Sequence, residues 1–196
     1  MLDARLRRAR RAAYGWLFDR LLRVDTTSAP VGSVADGDRR GYEPSEAWRL
    51  SRILPPAEVG PDDVFVDVGT GKGRVLLVAA RRYRARRIIG VEVDPELLAV
   101  ARRNVARLPA RSGIELVGED VSAWKIPPDA TILYLFNPFV GRTFEEFLAG
   151  VLRSQADHPR RIRLVYANPV MHDAVLAAGF RIVRTHRKLT LYTREA

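Results

Sequence analysis

The chain has 196 residues, a formal net charge of +10 and no cysteine. That size is typical of one domain, and the lack of cysteine excludes disulfides and thiolate chemistry. The sequence contains no membrane-spanning run and no recognisable secretory signal peptide, so a cytoplasmic protein is expected. Arginine carries nearly all of the positive charge, because only Lys72, Lys125 and Lys188 are lysines. Codon composition can produce this bias, so nucleic acid is a second choice of partner rather than the favoured one.

Residues 1–24 predict an amphipathic helix, and residues 25–41 predict a polar linker rich in Gly, Ser and Asp. We expect the helix to pack on the rest of the chain, with the linker able to order over a ligand as a lid. Two alternatives stay open, a helix on a membrane surface and an arm that binds phosphate. Residues 1–41 are thus separated from a domain at residues 42–196. The predicted apolar stripe is Leu6, Ala9, Ala13, Leu17, Leu21 and Val24, beside a basic cluster of Arg7, Arg8, Arg10 and Arg11.

The most informative stretch is residues 64–80, an apolar strand, a turn with three glycines and an apolar helix. This order begins many nucleotide-binding α/β folds, because glycine lets the backbone approach a ligand closely. A P-loop is excluded because Lys72 is followed by Gly73, and the dinucleotide fingerprint because Arg74 replaces a small residue. The remaining pattern, D-x-G-x-G-x-G from Asp67 to Gly73, resembles the first motif of the class I S-adenosylmethionine methyltransferases.

The resemblance covers about residues 42–193 and is to a small bacterial methyltransferase of unassigned substrate. It implies S-adenosylmethionine as the cofactor. In the small protein-lysine methyltransferases of this class, a Y-x-P-[ST] segment before the first strand lies close to the cofactor. Tyr42-Glu43-Pro44-Ser45 is similar to that segment. Cofactor binding is therefore expected at Tyr42 and Ser45 and in the glycine turn, at Asp67, Gly69, Thr70, Gly71 and Gly73.

Acidic residues follow two further strands of the predicted sheet. The strand at residues 88–91 ends in Glu92, whose carboxylate can accept hydrogen bonds from both hydroxyls of an adenosine ribose. NAD enzymes use the same arrangement, so Glu92 indicates an adenosine ligand rather than one particular cofactor. After the strand at residues 114–118, the resemblance implies that Asp120 accepts from the adenine amino group and that Val121 packs on the adenine ring.

A second site follows the strand at residues 131–136, where Asn137-Pro138-Phe139 resembles a shortened [DN]-P-P-[FYW] motif of amino-group methyltransferases. In that motif the first side chain and a proline carbonyl hold the nucleophilic nitrogen, and the aromatic ring stacks on the substrate. We expect Asn137, Pro138 and Phe139 to be the catalytic residues, with Asn137 also near the cofactor, although one proline is missing. No metal site is predicted, since the three histidines lack metal-ligand spacing.

The chain ends with two strands, residues 180–185 and 189–193, joined as an antiparallel hairpin. The predicted fold is α/β: one Rossmann-like sheet of seven mostly parallel strands, helices on both faces, a terminal antiparallel hairpin and an N-terminal helical extension. The predicted function is methyl transfer from S-adenosylmethionine to a nucleophile, preferably an amine, of a small molecule or a protein side chain. An RNA or DNA methyltransferase and a non-catalytic S-adenosylmethionine-binding protein are the alternatives.

Overall fold

The structure, a computed structural model, describes residues 2–28, 37–108 and 113–196. The strands are β1 Val64–Val68, β2 Arg87–Val91, β3 Ile114–Val117, β4 Ile132–Phe136, β5 Ile162–Ala167, β6 Arg181–His186 and β7 Leu189–Arg194. The α-helices are α1 Leu2–Leu22, α2 Leu50–Ile53, α3 Arg74–Arg82, α4 Pro95–Val105, α5 Gly141–Asp157 and α6 His172–Ala177. Short 3₁₀ helices at Ala47–Arg49 and Pro56–Glu58 lie before β1.

The strands form one sheet in the order β3-β2-β1-β4-β5-β7-β6. All neighbours are parallel except β7, which runs antiparallel to both β5 and β6. Every residue of β1 and β5 is buried, as expected for strands covered on both faces. The predicted fold class is confirmed. The chain order reverses between β1 and β4, and open α/β sheets bind their ligands at such a switch point.

Separate apolar layers cover the two faces of the sheet. On one face the layer is aromatic, with Phe144 and Phe147 of α5 packed against Tyr166 of β5. On the other face Leu50 and Ile53 pack with the apolar side of α3. Each such side chain stabilises the fold by about 1.5–3 kcal/mol through burial. The two layers together hold the ends of β1 and β4 in a fixed relation.

The N-terminal helix forms, but it packs with a different face from the predicted stripe. Leu17 and Leu21 of that stripe are 48% and 72% exposed. The helix instead contacts the domain through Phe18 and through Tyr14, whose ring centroid lies 4.0 Å from that of Trp48. Among the described residues, no helix combines the length and the apolar character needed to cross a membrane.

Polar and small residues explain which face of α1 packs. Gly15 is buried, and a Cβ atom there would lie 2.6 Å from Cγ2 of Thr27, so the helix approaches the next loop closely. Asp19 accepts hydrogen bonds from the backbone N of Thr26 at 2.8 Å and from the hydroxyl of Thr27 at 2.6 Å. The spacing of the aliphatic residues shows neither the close approach at Gly15 nor the hydrogen bonds of Asp19. The predicted stripe is wrong because Leu17 and Leu21 are exposed. The side chains of Leu6, Arg7, Arg8 and Arg11 lie outside those that the structure describes.

Candidate functional site

A crevice of about 130 Å³ lies at the carboxyl ends of β1 and β4. It is lined by the glycine turn after β1, by the ends of the neighbouring strands and by residues 39–43. The crevice brings together every predicted cofactor-binding and catalytic residue except Gly73. Those it brings together are Tyr42, Ser45, Asp67, Gly69, Thr70, Gly71, Glu92, Asp120, Val121, Asn137, Pro138 and Phe139.

Gly73 lies at the end of the glycine turn. Its φ of +81° places it in the left-handed region, directly before α3 begins. A Cβ atom at Gly73 would lie 3.5 Å from Cβ of Ala101, so this position also sets how closely α3 and α4 pack. Gly73 therefore serves the turn and the helix packing, and it does not line the crevice, so its contact with the cofactor stays a prediction.

Gly69 and Gly71 do line the crevice, and a protein side chain already lies against each of them. Their φ angles are +72° and +56°, where other residues are strained. A Cβ atom on Gly69 would lie 2.5 Å from Cβ of Pro138, and one on Gly71 would lie 2.5 Å from Cε2 of Tyr42. Glycine is thus required here by the packing of the crevice itself, as well as by the approach of a ligand.

Two buried carboxylates lie beside the glycine turn. Asp67 is 2% exposed and accepts a hydrogen bond from the hydroxyl of Thr70 at 2.6 Å. Burial raises the pKa of Asp67 to about 7, with nearby Glu92 adding to the rise and Thr70 opposing it. Glu92 accepts from the backbone N of Gly71 at 2.7 Å and of Asp94 at 3.0 Å, and burial raises its pKa too. Since each carboxylate oxygen has two lone pairs, Glu92 can still accept from ribose hydroxyls.

At another end of the crevice, Asp120 binds an arginine that no sequence motif marks. Its Oδ1 accepts from the backbone N of Ser122 at 3.1 Å and from the Ser122 hydroxyl at 2.9 Å. Its Oδ2 forms an ion pair with the guanidinium of Arg39. Although partial burial acts to raise the pKa of Asp120, Ser122 and Arg39 hold it below its usual value. An adenine amino group that bonds to Asp120 would have to share or displace Arg39.

That arginine belongs to residues 37–42, which we call the strap. The backbone N of Arg40 donates to O of Pro138 at 2.8 Å. Asp38 accepts from the backbone N of Thr143 at 3.1 Å, in the first turn of α5. With the strap held across it, the crevice is smaller than the roughly 300–1,000 Å³ of small-molecule sites. A nucleotide-sized ligand therefore requires the strap to move outward.

The strap ends at Tyr42, whose hydroxyl donates to O of Thr26 at 2.8 Å. Thr26 also accepts two hydrogen bonds from the guanidinium of Arg74. Nε donates to Oγ1 at 2.7 Å, and Nη2 donates to the backbone O at 3.1 Å. Lys72 donates to Oδ2 of Asp25 at 3.1 Å. Two buried cations of the glycine turn thus anchor the residues after α1. This contact explains why an arginine stands at position 74, where a dinucleotide fold has a small residue.

The Asn137-Pro138-Phe139 segment is placed only partly as predicted. Asn137 lines the crevice with a φ of +46°, and its Oδ1 is buried without a hydrogen-bond partner among the described residues. Phe139 is 4% exposed, and its ring centroid lies 5.6 Å from that of Phe147 within the aromatic layer. The ring of Phe139 thus packs in the core while the residue also lines the crevice, and its stacking on a substrate stays a prediction.

A second cavity of about 580 Å³ adjoins the crevice. The two share Glu43, Tyr134 and Phe136 as lining residues, so they meet at the end of β4. No sequence motif indicates this cavity, because its other charged and polar side chains come from segments that meet only in the folded sheet. These are Glu46 and Arg49 before α2, Asn168 after β5, and Arg187 and Lys188 between β6 and β7.

Residues 65–156 match a family model described as a methyltransferase domain. A protein-lysine N-methyltransferase of Saccharolobus islandicus is 32% identical over 66 residues, which are 34% of this chain and 41% of that protein. A probable ribosomal RNA small subunit methyltransferase A of Methanosarcina mazei is 36% identical over 75 residues, which are 38% of this chain and 26% of that protein. The matched part of the chain thus spans less than half the length of either relative.

Solved structures of low sequence identity share the fold. An RNA methyltransferase from Salinibacter ruber in complex with S-adenosyl-L-homocysteine aligns with a TM-score of 0.55 at 23% identity, over 78% of this chain and 93% of that one. A SAM dependent methyltransferase from Aquifex aeolicus aligns with a TM-score of 0.55 at 16% identity, over 78% of this chain and 98% of that one. The fold and the position of the crevice define a Rossmann-like, class I protein. The resemblance to class I methyltransferases predicted from the glycine motif is thus confirmed over residues 65–156, together with the fold.

Proposed function

We propose that the chain binds S-adenosylmethionine in the crevice and transfers its methyl group to an amino nitrogen of an acceptor in the second cavity. The observation that carries this proposal is Oδ1 of Asn137, a buried hydrogen-bond acceptor without a partner among the described residues. Asn137 directly follows Phe136, which lines both cavities. A buried polar atom left unsatisfied costs about 1–3 kcal/mol. An amino group of the acceptor would satisfy it.

The chemistry of the crevice supports this cofactor. Glu92 offers lone pairs to ribose hydroxyls, and Asp120 offers a carboxylate to an adenine amino group. The glycine turn at residues 69–71 and the buried carboxylate of Asp67 suit the amino-acid part, whose ammonium is positively charged. When bound, S-adenosylmethionine supplies a methyl group already activated by its sulfonium.

The residues at the junction of the two cavities would orient and desolvate the acceptor nitrogen. Oδ1 of Asn137 accepts one N–H and so fixes the direction of the nitrogen lone pair. Tyr134 and Phe136 give the junction an apolar lining, and desolvation there lowers the pKa of a bound amine, which must be neutral to attack. Correct alignment of two reactants contributes roughly 7–11 kcal/mol.

The proposed function does not specify whether the acceptor is a small molecule, a protein or a nucleic acid. The sequence favours an amine of a small molecule or of a protein side chain, with RNA or DNA as the alternative. The relatives support both kinds, since one is named a protein-lysine and the other a ribosomal RNA methyltransferase. A third alternative is a chain that binds the cofactor as a sensor and transfers nothing.

Calorimetric titration with S-adenosylhomocysteine and with NAD tests the cofactor. We expect S-adenosylhomocysteine to bind and NAD not to bind; tighter binding of NAD would contradict the proposal.

Transfer of a labelled methyl group to a panel of RNA, protein and small amines tests the reaction. Asn137→Ala should keep its affinity for S-adenosylhomocysteine and lose about 100-fold in transfer rate, by analogy with removal of one positioned hydrogen bond. Asn137→Asp keeps an acceptor oxygen and is the matched control; equal rates in wild type and Asn137→Ala would remove Asn137 from the mechanism.

A further inference from the structure

Three cations line the second cavity, Arg49, Arg187 and Lys188, which we call the cationic rim. Arg187 and Lys188 are exposed in the turn between β6 and β7, and Arg187 has a φ of +55°. The backbone N of Asn168 donates to O of Lys188 at 2.6 Å, which ties this turn to the loop after β5. The cationic rim is therefore attached to the sheet rather than carried on a free loop.

Positive charge exceeds negative charge around the cationic rim. Arg49 forms an ion pair with Glu46, with 2.9 Å between Nε and Oε2. Among the described residues, neither Arg187 nor Lys188 forms an ion pair. Burial lowers the pKa of Arg49, and its positive neighbours, Arg187 foremost, lower it further against the opposing effect of Glu46. Two acids, Glu43 and Glu46, line the cavity against these three cations, so positive charge remains in excess.

The positive surface continues beyond the cationic rim. Arg10 and Arg52 are exposed and near enough to act on the charge of Arg49. Trp48 is next to Arg49, whose guanidinium lies 5.7 Å from its ring centroid, and the ring of Trp48 also packs against Tyr14. A single carboxylate would use only one or two of these cations, whereas a chain of phosphates would use the series. The arrangement therefore favours a polyanion.

Resting on the methyltransferase function proposed above, we propose that the second cavity admits one nucleotide of a single-stranded or looped RNA, whose phosphates bind the cationic rim. The cavity volume of about 580 Å³ lies within the usual range of ligand sites. The exocyclic amino group of a base is neutral at pH 7, so it attacks without a general base, whereas a lysine would first have to lose a proton. The N–C bond forms as the S–C bond breaks, S-adenosylhomocysteine leaves, and the extra proton on nitrogen passes to water.

Fluorescence anisotropy with a labelled single-stranded RNA of mixed sequence, over a series of salt concentrations, tests this proposal. The double variant Arg187→Gln with Lys188→Gln removes two charges of the cationic rim. Arg81→Gln with Arg84→Gln is the matched control, because it removes two exposed arginines near the end of α3 that do not line the second cavity. We expect the rim variant to bind at least tenfold more weakly at low salt. Its slope of log K against log salt should fall by about 1.4, since each phosphate contact on a single strand contributes about 0.7.

Titration of the wild type and both variants with S-adenosylhomocysteine separates this proposal from the proposed function. Equal affinity for S-adenosylhomocysteine, with the loss of RNA binding confined to the rim variant, supports the RNA site. S-adenosylhomocysteine binding without RNA binding, or an equal RNA loss in the control, overturns the RNA site and leaves the proposed function standing. Rim-dependent binding of an acidic lysine peptide in place of RNA also overturns it. Absence of S-adenosylhomocysteine binding by the wild type overturns the proposed function itself.

Discussion

Asp67 is an ionisable side chain at the buried end of β1, and its pKa is raised from 3.8 to about 7, mainly by burial. Between these two values the folded chain holds the proton that the unfolded chain has released. The stability contributed by this group is therefore fully present below about pH 4 and is lost as the pH rises to about 7. An ionised carboxylate in this place thus costs stability.

Asp67→Asn should remove that cost, because the amide keeps an acceptor for Thr70 and carries no charge. We expect the variant to exceed the wild type in free energy of unfolding by roughly 2–4 kcal/mol at pH 8, since one pKa unit is about 1.4 kcal/mol. The gain should shrink towards pH 4.5. Urea denaturation at both pH values measures it, with the exposed Asp62→Asn as control. A gain that is the same at both pH values would contradict the titration of Asp67.

Gly71→Val should abolish binding of S-adenosylhomocysteine and destabilise the fold moderately. The valine would hold a φ of +56°, and its Cβ would meet the ring of Tyr42 at 2.5 Å, which displaces the strap. Strain of this kind costs about 1–3 kcal/mol. Calorimetry and chemical denaturation measure the two effects, and Gly60→Val, where no atom lies within 4 Å of the added Cβ, is the control. Normal binding by a folded Gly71→Val would exclude the glycine turn from the cofactor site.

Glu92→Ala should weaken binding of S-adenosylhomocysteine by about 1.5–3 kcal/mol, the usual size for hydrogen bonds to a charged group. The variant also frees the backbone N of Gly71, which Glu92 holds at 2.7 Å, so the glycine turn loses a support. Isothermal titration measures the change. Glu96→Ala removes an exposed acid in the first turn of α4 and should leave the affinity unchanged. An effect of Glu92→Ala no larger than that of the control would contradict the ribose assignment.

At the scale of elements, the strap decides whether Asp120 is available to a ligand. The Arg39–Asp120 ion pair is partly exposed, at 44% and 33%, so its loss should change stability by less than about 1 kcal/mol. Arg39→Ala should instead raise the association rate of S-adenosylhomocysteine several-fold, because Oδ2 of Asp120 is then unoccupied. Stopped-flow binding measures this rate, with the exposed Arg142→Ala, which breaks the pair with Glu146, as control. Weaker binding by Arg39→Ala would mean that this arginine contacts the cofactor.

The elements that could be predicted from the sequence are those with a local signal. The strand, glycine turn and helix before residue 83 carry their own pattern, and Glu92 reaches the crevice because parallel strands end at one edge of the sheet. The strap and the cationic rim could not be predicted, because pairs such as Arg39 and Asp120 lie 81 residues apart in the chain. Motif spacing also does not tell whether the ring of Phe139 turns to the crevice or to the core.

For the molecule as a whole, the residues that follow α1 support the glycine turn through hydrogen bonds. Lys72 and Arg74 are 2% and 3% exposed, and their partners Asp25 and Thr26 follow α1. Removing residues 1–41 would take away these hydrogen bonds and expose both cations to water. A chain cut at residue 41 would therefore lose stability along with any covering of the crevice, so point variants of α1 are the sharper test of what this helix does.

Phe18 and Leu21 distinguish a helix that packs on the domain from a helix that lies on a membrane. Phe18 packs against the apolar layer beside α3, and the guanidinium of Arg74 lies 5.6 Å from its ring centroid, whereas Leu21 is 72% exposed. Because a fully buried phenylalanine is worth about 3–5 kcal/mol and Phe18 is only partly buried, Phe18→Ala should lower the free energy of unfolding by about 1–3 kcal/mol. Leu21→Ala should change it by less than about 0.5 kcal/mol.

The same two variants, mixed with vesicles of anionic lipid, complete this test. If α1 only packs, the wild type and both variants sediment with the vesicles to the same small extent. If α1 is a membrane-surface helix, the wild type binds the vesicles and high salt releases it. Leu21→Ala then binds the vesicles less, because an apolar side chain is missing from the exposed face of α1, and high salt releases it too. We expect the first result, since Tyr14 and Phe18 of α1 already pack against the rest of the chain. Loss of stability in Leu21→Ala as large as in Phe18→Ala would instead mean that α1 packs through its other face.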